Sequence, residues 1–463
     1  MNTVFFRKTG ITCTLIVILA FAIMVFGCSK SSGSTSGDNS QAGSEPARPE
    51  SYLENGDIPA TDPYFAVNGK SPADITGSLM VWTWDTNFFG MIQKMETIYP
   101  KITYDFVTVP GSDYMMKLQS ALASGAAVPD ILCAEINNVG RFYDMDISDD
   151  ISKAPYNIDK EMLVPYLADI GTDDKGKFIG IPNTAAPGGL FYRRDLAQQY
   201  LGTDDPTEVS AMVTTWDDFI NVCKKVTTAS GGKVWGIAGL DGLIHPTVDQ
   251  SSKPWREGNK LLIEENYLDS YELIKKIAEA RIDGGMDEYT PAWHASFEQG
   301  NVLFYLGACW TQSFVIEVND PNGAGRWGVA STPGGPYNWG GIWWTAYRNS
   351  KNKDAIAAWM RYEVSPQGGR NKYQMIHFYP GLNSAYSADY LFQPNEFFGG
   401  QNVTDYYLQT MQAMTVKRPV ANDGTFYDAM GFYTKNLAKG ESPENLVVQI
   451  ENDIISQIPV YTR

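Results

Sequence analysis

The chain has 463 residues, 43% hydrophobic and 13% aromatic, which suffices for a large core and suggests two or three domains. Its formal net charge of −17 argues against nucleic acid, whose binders carry basic patches, and against charge-driven docking on anionic lipid. At the amino end, Arg7 and Lys8 precede an apolar run from Ile11 to Phe26, and Gly27-Cys28 follows. That order of charge, apolar stretch and small residue is a secretory signal, and a cysteine at the cut is a lipid acceptor. The run of about 16 residues is short for a membrane span, so an uncleaved anchor is the second choice. Residues 1–27 are therefore expected to leave and Cys28 to carry the acyl chains. From Ser29 to Glu45 the chain is mostly Ser and Gly, and Pro46, Pro49 and Pro59 follow. Such a segment cannot order itself and acts as a tether with a reach of about 30 Å. Residues 28–75 are read as this linker.

Regular structure is predicted from Ile75 onward. Leu79 to Trp84 reads as a strand rich in large and β-favouring side chains. Phe88, Ile92 and Met95 recur at helical spacing before Tyr99-Pro100. Ile102, Tyr104 and Phe106 alternate as a second strand. Ser112 is placed to cap a helix that ends at Gly125. Pro129 to Cys133 reads as a third, buried strand. The β-α-β-α-β order implies a mostly parallel, doubly wound sheet, and ligands of such sheets lie beyond the strands' carboxyl ends. Trp84, Asp85, Glu135 and Asn137 fall there. Further on, Thr215-Trp216-Asp217-Asp218 has the spacing of a capping box. Val302 to Leu306 reads as a strand, Asp354 to Val364 as a helix, and Leu446, Ile450 and Ile454 mark one face of a terminal helix.

Three cysteines follow Cys28, namely Cys133, Cys223 and Cys309, all in apolar settings and without a CxxC, so buried free thiols are expected, with one disulfide possible. Gly171 to Lys177 has the spacing of a phosphate loop, but Phe178 stands where Ser or Thr must hold magnesium, so a turn is expected. His245, His294 and His377 are the only histidines and are far apart. No HExxH and no GxSxG occurs, so neither a metal nor a cofactor is expected.

Several ordered segments carry a family resemblance. They are Tyr114 to Gly125 followed by Val128-Pro129-Asp130-Ile131, Gly176 to Pro182 followed by Leu190 to Leu196, and Thr215 to Phe219. Phe297 to Tyr305, Trp327 to Ala330 with Pro333-Gly334-Gly335, and Ser350 to Ala355 complete the set. Together they resemble the extracellular solute-binding proteins of ABC importers, the family that includes the maltose-binding protein. The resemblance implies an α/β, two-lobed periplasmic-binding-protein fold, with doubly wound sheets in each lobe joined by a multi-crossing hinge. It places residues 76–184 and 340–380 in the amino-terminal lobe and 185–339 and 381–463 in the other. Crossings are expected near 182–188, 330–342 and 365–385.

The resemblance also implies a binding function rather than an enzyme. The loops it brings to the ligand carry Trp84, Asp85, Asn87, Glu135, Asn137, Asn183, Trp310, Gln312, Trp339, Gly340, Gly341, Trp343 and Tyr427. Indole rings stack on the apolar faces of a pyranose, while acidic and amide side chains bond its hydroxyls. Trp82, Trp216, Trp235 and Trp359 are expected in packing roles instead. No Arg or Lys stands out in these loops, as an anionic ligand would require. The segment from Trp235 to Asn259, which includes His245, is an insertion relative to the family and a candidate specificity loop. The implied partners are a small solute, best a mono- or oligosaccharide, and the transmembrane subunits of an ABC permease. The membrane is met through the lipid alone, and the chain is expected to be a monomer. A polyamine, peptide or polyol phosphate is the alternative solute, and a surface glycoside hydrolase is the alternative class.

Overall fold

The computed structural model describes residues 57–84 and 86–463. The signal, Cys28, the Ser/Gly tether and Asp85 lie outside the described residues. Residues 57–75, expected as linker, are packed instead: Ile58, Phe65 and Val67 are buried, Arg361 bonds the Tyr64 and Ala66 carbonyls, and Gln367 bonds the Ile58 carbonyl. Ten strands are present among the described residues: β1 (Gly77–Thr83), β2 (Ile102–Thr108), β3 (Ile131–Glu135), β4 (Gly180–Pro182), β5 (Gly188–Arg193), β6 (Arg256–Glu257), β7 (Lys260–Leu261), β8 (Phe304–Ala308), β9 (Trp327–Ala330) and β10 (Ile342–Ala346). They form a five-stranded sheet ordered β2-β1-β3-β10-β4, a three-stranded sheet ordered β8-β5-β9, and the small hairpin β6-β7.

The opening β-α-β-α-β run forms as read. β1 pairs in parallel with β2, from Gly77 opposite Ile102 to Thr83 opposite Thr108, and also with β3. Between them lie the helices Asn87–Gln93 and Gly111–Ser124. The second ends at Gly125 in the left-handed region (φ 71°), where glycine lacks the Cβ that other residues must strain to fit. Its start differs from the prediction. Pro110 is the N-cap, and Ser112 sits inside the first turn, bonded to Asp113. The capping box at Thr215 and Asp218 is present in full. Leu446, Ile450 and Ile454 are fully buried on one face of the helix Pro443–Gln457. The three cysteines are buried free thiols. Gly171 to Lys177 is a turn in which Asp173 accepts from the backbone N–H of Lys175 and Lys177.

The sheets are less parallel than predicted. β10 runs antiparallel to both β3 and β4. The second sheet is antiparallel throughout rather than doubly wound. The reason is the route of the chain. It leaves the first sheet at Pro182 and enters the second at Gly188, then leaves the second at Ala330 and re-enters the first at Ile342. Both passages run through one seam. β4 therefore ends at the seam and β10 begins there, so the two run in opposite directions, and the same holds for β5 and β9. A third passage comes later than 365, because Pro366–Ile376 is a helix packed on the helix Asn87–Gln93. It lies after that helix: Leu382 still bridges Leu163, in the segment before β4, and by Gln401 the chain bonds Val329 of β9.

Candidate ligand-binding site

The seam gathers strand ends from both sheets. β1, β3 and β4 end there, β8 ends at Ala308 opposite Gly188, and β10 starts there with Ile342 opposite Glu135. A cavity of about 560 Å³ opens at this line. Trp84, Thr86, Asn87, Glu135 and Asn137 line it from the carboxyl ends of the first sheet's strands, Trp310 from the turn after β8, and Trp339, Gly340 and Gly341 from the passage into β10. Phe88, Thr184, Tyr289, Phe314, Ile342 and Phe378 complete the wall.

Two indoles set its shape. The rings of Trp310 and Trp339 stand nearly perpendicular, 80° apart with centroids 5.5 Å apart, and Trp310 Nε1 donates to the Trp339 carbonyl at 2.8 Å. The backbone beyond them needs glycine. Gly340 has φ 96°, and a Cβ there would sit 3.1 Å from Trp310 Nε1. Trp84 meets Tyr114 edge to face at 5.8 Å. Edge-to-face pairs hold each ring in a defined orientation.

Glu135 ends β3 and caps the next helix, Ile136–Met145, accepting from the Asn137 N–H at 2.9 Å. Burial pushes its carboxyl up to about 7; the Asn137 N–H opposes this, and the Asp423 charge adds to it. Asp423, at the start of the helix Asp423–Leu437, is pushed up to about 6, again first by burial. The Trp255 Nε1 donor at 2.6 Å holds that shift in check.

A second, smaller cavity of about 40 Å³ adjoins the first, since Asn137 and Gly340 line both. Tyr427 lines it, with His245, Asp249 and Lys417. His245 is clamped between two rings, Trp339 at 4.5 Å and Tyr427 at 4.8 Å, both near parallel to it. Its Nδ1 lies 2.8 Å from Asp249 Oδ2. The other oxygen of Asp249 accepts from the Tyr427 hydroxyl and lies 3.5 Å from Lys417 Nζ. Burial works against the Asp249 charge, but His245 and Lys417 hold its carboxyl below the usual range.

Three predicted site residues do not reach either cavity. Trp343 is in the core, its Nε1 bonded to the Leu167 carbonyl at 3.0 Å. Successive strand residues face opposite ways, so Ile342 takes the cavity side of β10 and Trp343 the other. Asn183 is fully buried, with its backbone N–H on the Ile342 carbonyl, and Thr184 lines the cavity in its place. Gln312 is buried between Glu317 and Asn395, at 2.8 and 3.3 Å. Trp82 and Trp359 are core residues, as expected, and Trp216 and Trp235 are partly buried against it. Sequence reasoning missed His245 as a contact, although it noted the insertion that holds it. It missed Lys417 altogether, because no local pattern connects residue 417 to Asp249.

The model of the bacterial extracellular solute-binding protein family matches residues 90–397, and the chain belongs to that family. It is 26% identical to the lactose-binding protein of Rhizobium radiobacter over 417 residues, which is 84% of this chain and 94% of that one. Among solved structures it resembles the sugar-binding protein MalE of Xanthomonas citri, with a TM-score of 0.68, 17% identity, and 82% and 97% of the two chains covered. It also resembles the galacto-N-biose/lacto-N-biose I-binding protein of the Bifidobacterium longum ABC transporter, with a TM-score of 0.67, 16% identity, and 83% and 97% covered. The fold is the two-lobed α/β architecture of such binding proteins. These relatives are solute-binding proteins and not enzymes.

Proposed function

We propose that this chain is the extracytoplasmic, lipid-anchored binding protein of an ABC importer and that it captures a neutral oligosaccharide. The observation that carries the reading is the perpendicular Trp310–Trp339 pair in an aromatic cavity at the seam of the two sheets. Its volume is in the range of small-molecule sites and suits about two sugar rings. Trp84, Trp310, Trp339 and Tyr289 offer ring faces, and Asn87, Glu135, Asn137 and Thr184 offer hydroxyl partners. Lactose and lacto-N-biose, the ligands for which two of these relatives are named, are of this class. A polyamine fits less well, because Glu135 is the one carboxylate on the cavity wall among the described residues and burial favours its neutral form.

In this reading, residues 76–184 and 340–380 form one lobe, and 185–339 and 381–463 the other. Ligand contact with both lobes favours the closed arrangement, since a ligand shifts an equilibrium only by its differential affinity. Cys28 carries the anchor, and the chain from 29 to about 56 tethers the lobes to the membrane, where the permease subunits receive the solute; Ile58, Phe65 and Val67 belong to the folded core instead.

Thermal unfolding against a panel of mono- and oligosaccharides tests the ligand. A sugar at 100 times its dissociation constant adds about 2.7 kcal/mol, a shift of several degrees. A shift with amines or peptides and none with sugars would overturn the ligand class. Acyl labelling of the wild type and its absence in Cys28→Ser tests the anchor.

A further inference from the structure

The smaller cavity has a chemistry that the main one lacks. On its own measure of about 40 Å³ it exceeds the roughly 10–15 Å³ that a single water needs, yet it is far smaller than the main cavity and too small for another sugar ring. It opens beside the main cavity, with Asn137 and Gly340 common to both walls. Its charges balance. Lys417 and Arg418 face Asp249 and Asp423. Arg418 is already engaged, with Nε on Asp174 at 2.6 Å and a terminal nitrogen on the Thr172 carbonyl at 2.7 Å. A carboxylate entering here meets Asp249 and Asp423, and an ammonium meets Lys417. A neutral group with both a donor and an acceptor meets neither penalty.

His245 is prepared to bond such a group. The rings of Trp339 and Tyr427 fix its plane. Asp249 is held as a carboxylate, so its oxygen at 2.8 Å takes the Nδ1 hydrogen and leaves Nε2 as the ring nitrogen free to bond a ligand hydroxyl, which can both donate and accept. Among the described residues Nε2 makes no hydrogen bond. His245 also backs the indole of Trp339, so the ring that packs on the sugar and the atom that bonds its substituent belong to one stack.

We propose that the small cavity is a subsite for an uncharged exocyclic hydroxymethyl group of the bound sugar, with His245 as its hydrogen-bonding residue. The proposal rests on the reading of the ligand as a sugar. It makes His245 and Asp249, within the 235–259 segment, the part of the chain that tells a hexose unit from a pentose or a uronic acid.

The test is calorimetric titration of the full chain in detergent with three matched forms of the disaccharide that binds best: the hexose form, the pentopyranose form lacking the hydroxymethyl group, and the uronate form. The wild type is expected to prefer the hexose form over the pentose form by about tenfold or more, with the uronate weakest. His245→Phe keeps a flat ring between Trp339 and Tyr427 but has no acceptor nitrogen. It is expected to lose the preference for the hexose form, so that the ratio of the two affinities, read within the one variant, falls to about one. His245→Gln, which restores a polar side chain, serves as the second variant if the first unfolds, and is expected to recover part of the preference. Equal binding of hexose and pentose forms by the wild type, or an undiminished preference in His245→Phe, would overturn the subsite and leave sugar binding standing. Binding of no sugar by the wild type would instead remove the reading on which the subsite rests.

Discussion

Replacing Glu135 by glutamine should change how stability depends on pH. The carboxyl of Glu135 is pushed from 4.5 up to about 7, first by burial and then by the charge of Asp423, against the N–H of Asn137. A raised carboxyl pKa means that the folded protein favours the protonated form. The stability linked to that proton is complete below the unfolded value near 4.5 and is lost as pH rises through about 7. At about 1.4 kcal/mol per unit, the cost of ionising Glu135 above pH 7 is at most about 3–4 kcal/mol, and water in the open cavity reduces it. Glutamine keeps the shape and the carbonyl acceptor for the Asn137 N–H but does not ionise. The two proteins should therefore unfold at nearly the same urea concentration at pH 5. At pH 8.5 Glu135→Gln should be the more stable by about 2 kcal/mol. Asp423, raised to about 6, leaves some pH dependence in both proteins, so the difference between them is the quantity that matters. A difference that stays constant from pH 5 to 8.5, or a wild type that gains on the variant as pH rises, would refute the argument.

Other perturbations have outcomes of similar clarity. Trp339→Ala removes a ring that lines both faces of the recognition stack, and ligand affinity measured by calorimetry should fall by about 30-fold or more; an unchanged affinity would take Trp339 out of the site. A Cβ on Gly140 would sit 2.1 Å from the Val420 carbonyl carbon, so Gly140→Val must part the helix Ile136–Met145 from the segment before Asp423. Small-angle scattering at saturating ligand should then give a larger radius of gyration than the wild type, and identical curves would show that the two segments need not meet. Lys372 and Glu363 form a buried pair at 3.0 Å, each side chain 3% exposed. Lys372→Met leaves the carboxylate alone and should cost about 3–5 kcal/mol in urea unfolding at pH 7, whereas a loss below 1 kcal/mol would mean that Glu363 finds another partner or takes up a proton.

What the sequence disclosed and what it hid follow from the range of the interactions concerned. β1 to β3 and their helices were legible because alternation, helical spacing and the stop at Gly125 are local signals. The loops carrying Trp84, Glu135, Trp310 and Trp339 were legible through the ordered family motifs, and they do share one cavity. The antiparallel setting of β10 was not, because a strand's own residues do not encode which way its neighbours run. Trp343 shows the same limit on a smaller scale. It belongs to the right loop, but one step along a strand turns a side chain to the opposite face, and register decides whether Ile342 or Trp343 meets the cavity.

The His245 stack lies at the far end of this scale. Its members come from the 235–259 segment, from the passage into β10, and from the segment and helix that hold Lys417 and Tyr427. Nothing local joins them, and each taken alone reads as an ordinary surface or core residue. Yet this is the part of the site where charge, ring stacking and hydrogen bonding depend on one another. Asp249 must be ionised to fix the tautomer of His245, Lys417 must be near to keep Asp249 ionised, and both rings must be present to hold His245 flat. An arrangement so interdependent is a weak way to add stability, since losing one member strands the others. It is an effective way to hold one nitrogen atom at a fixed point beside Trp339. That contrast favours recognition over structure as the role of the stack. It also predicts that double variants among His245, Asp249 and Tyr427 will lose little more ligand affinity than the single ones.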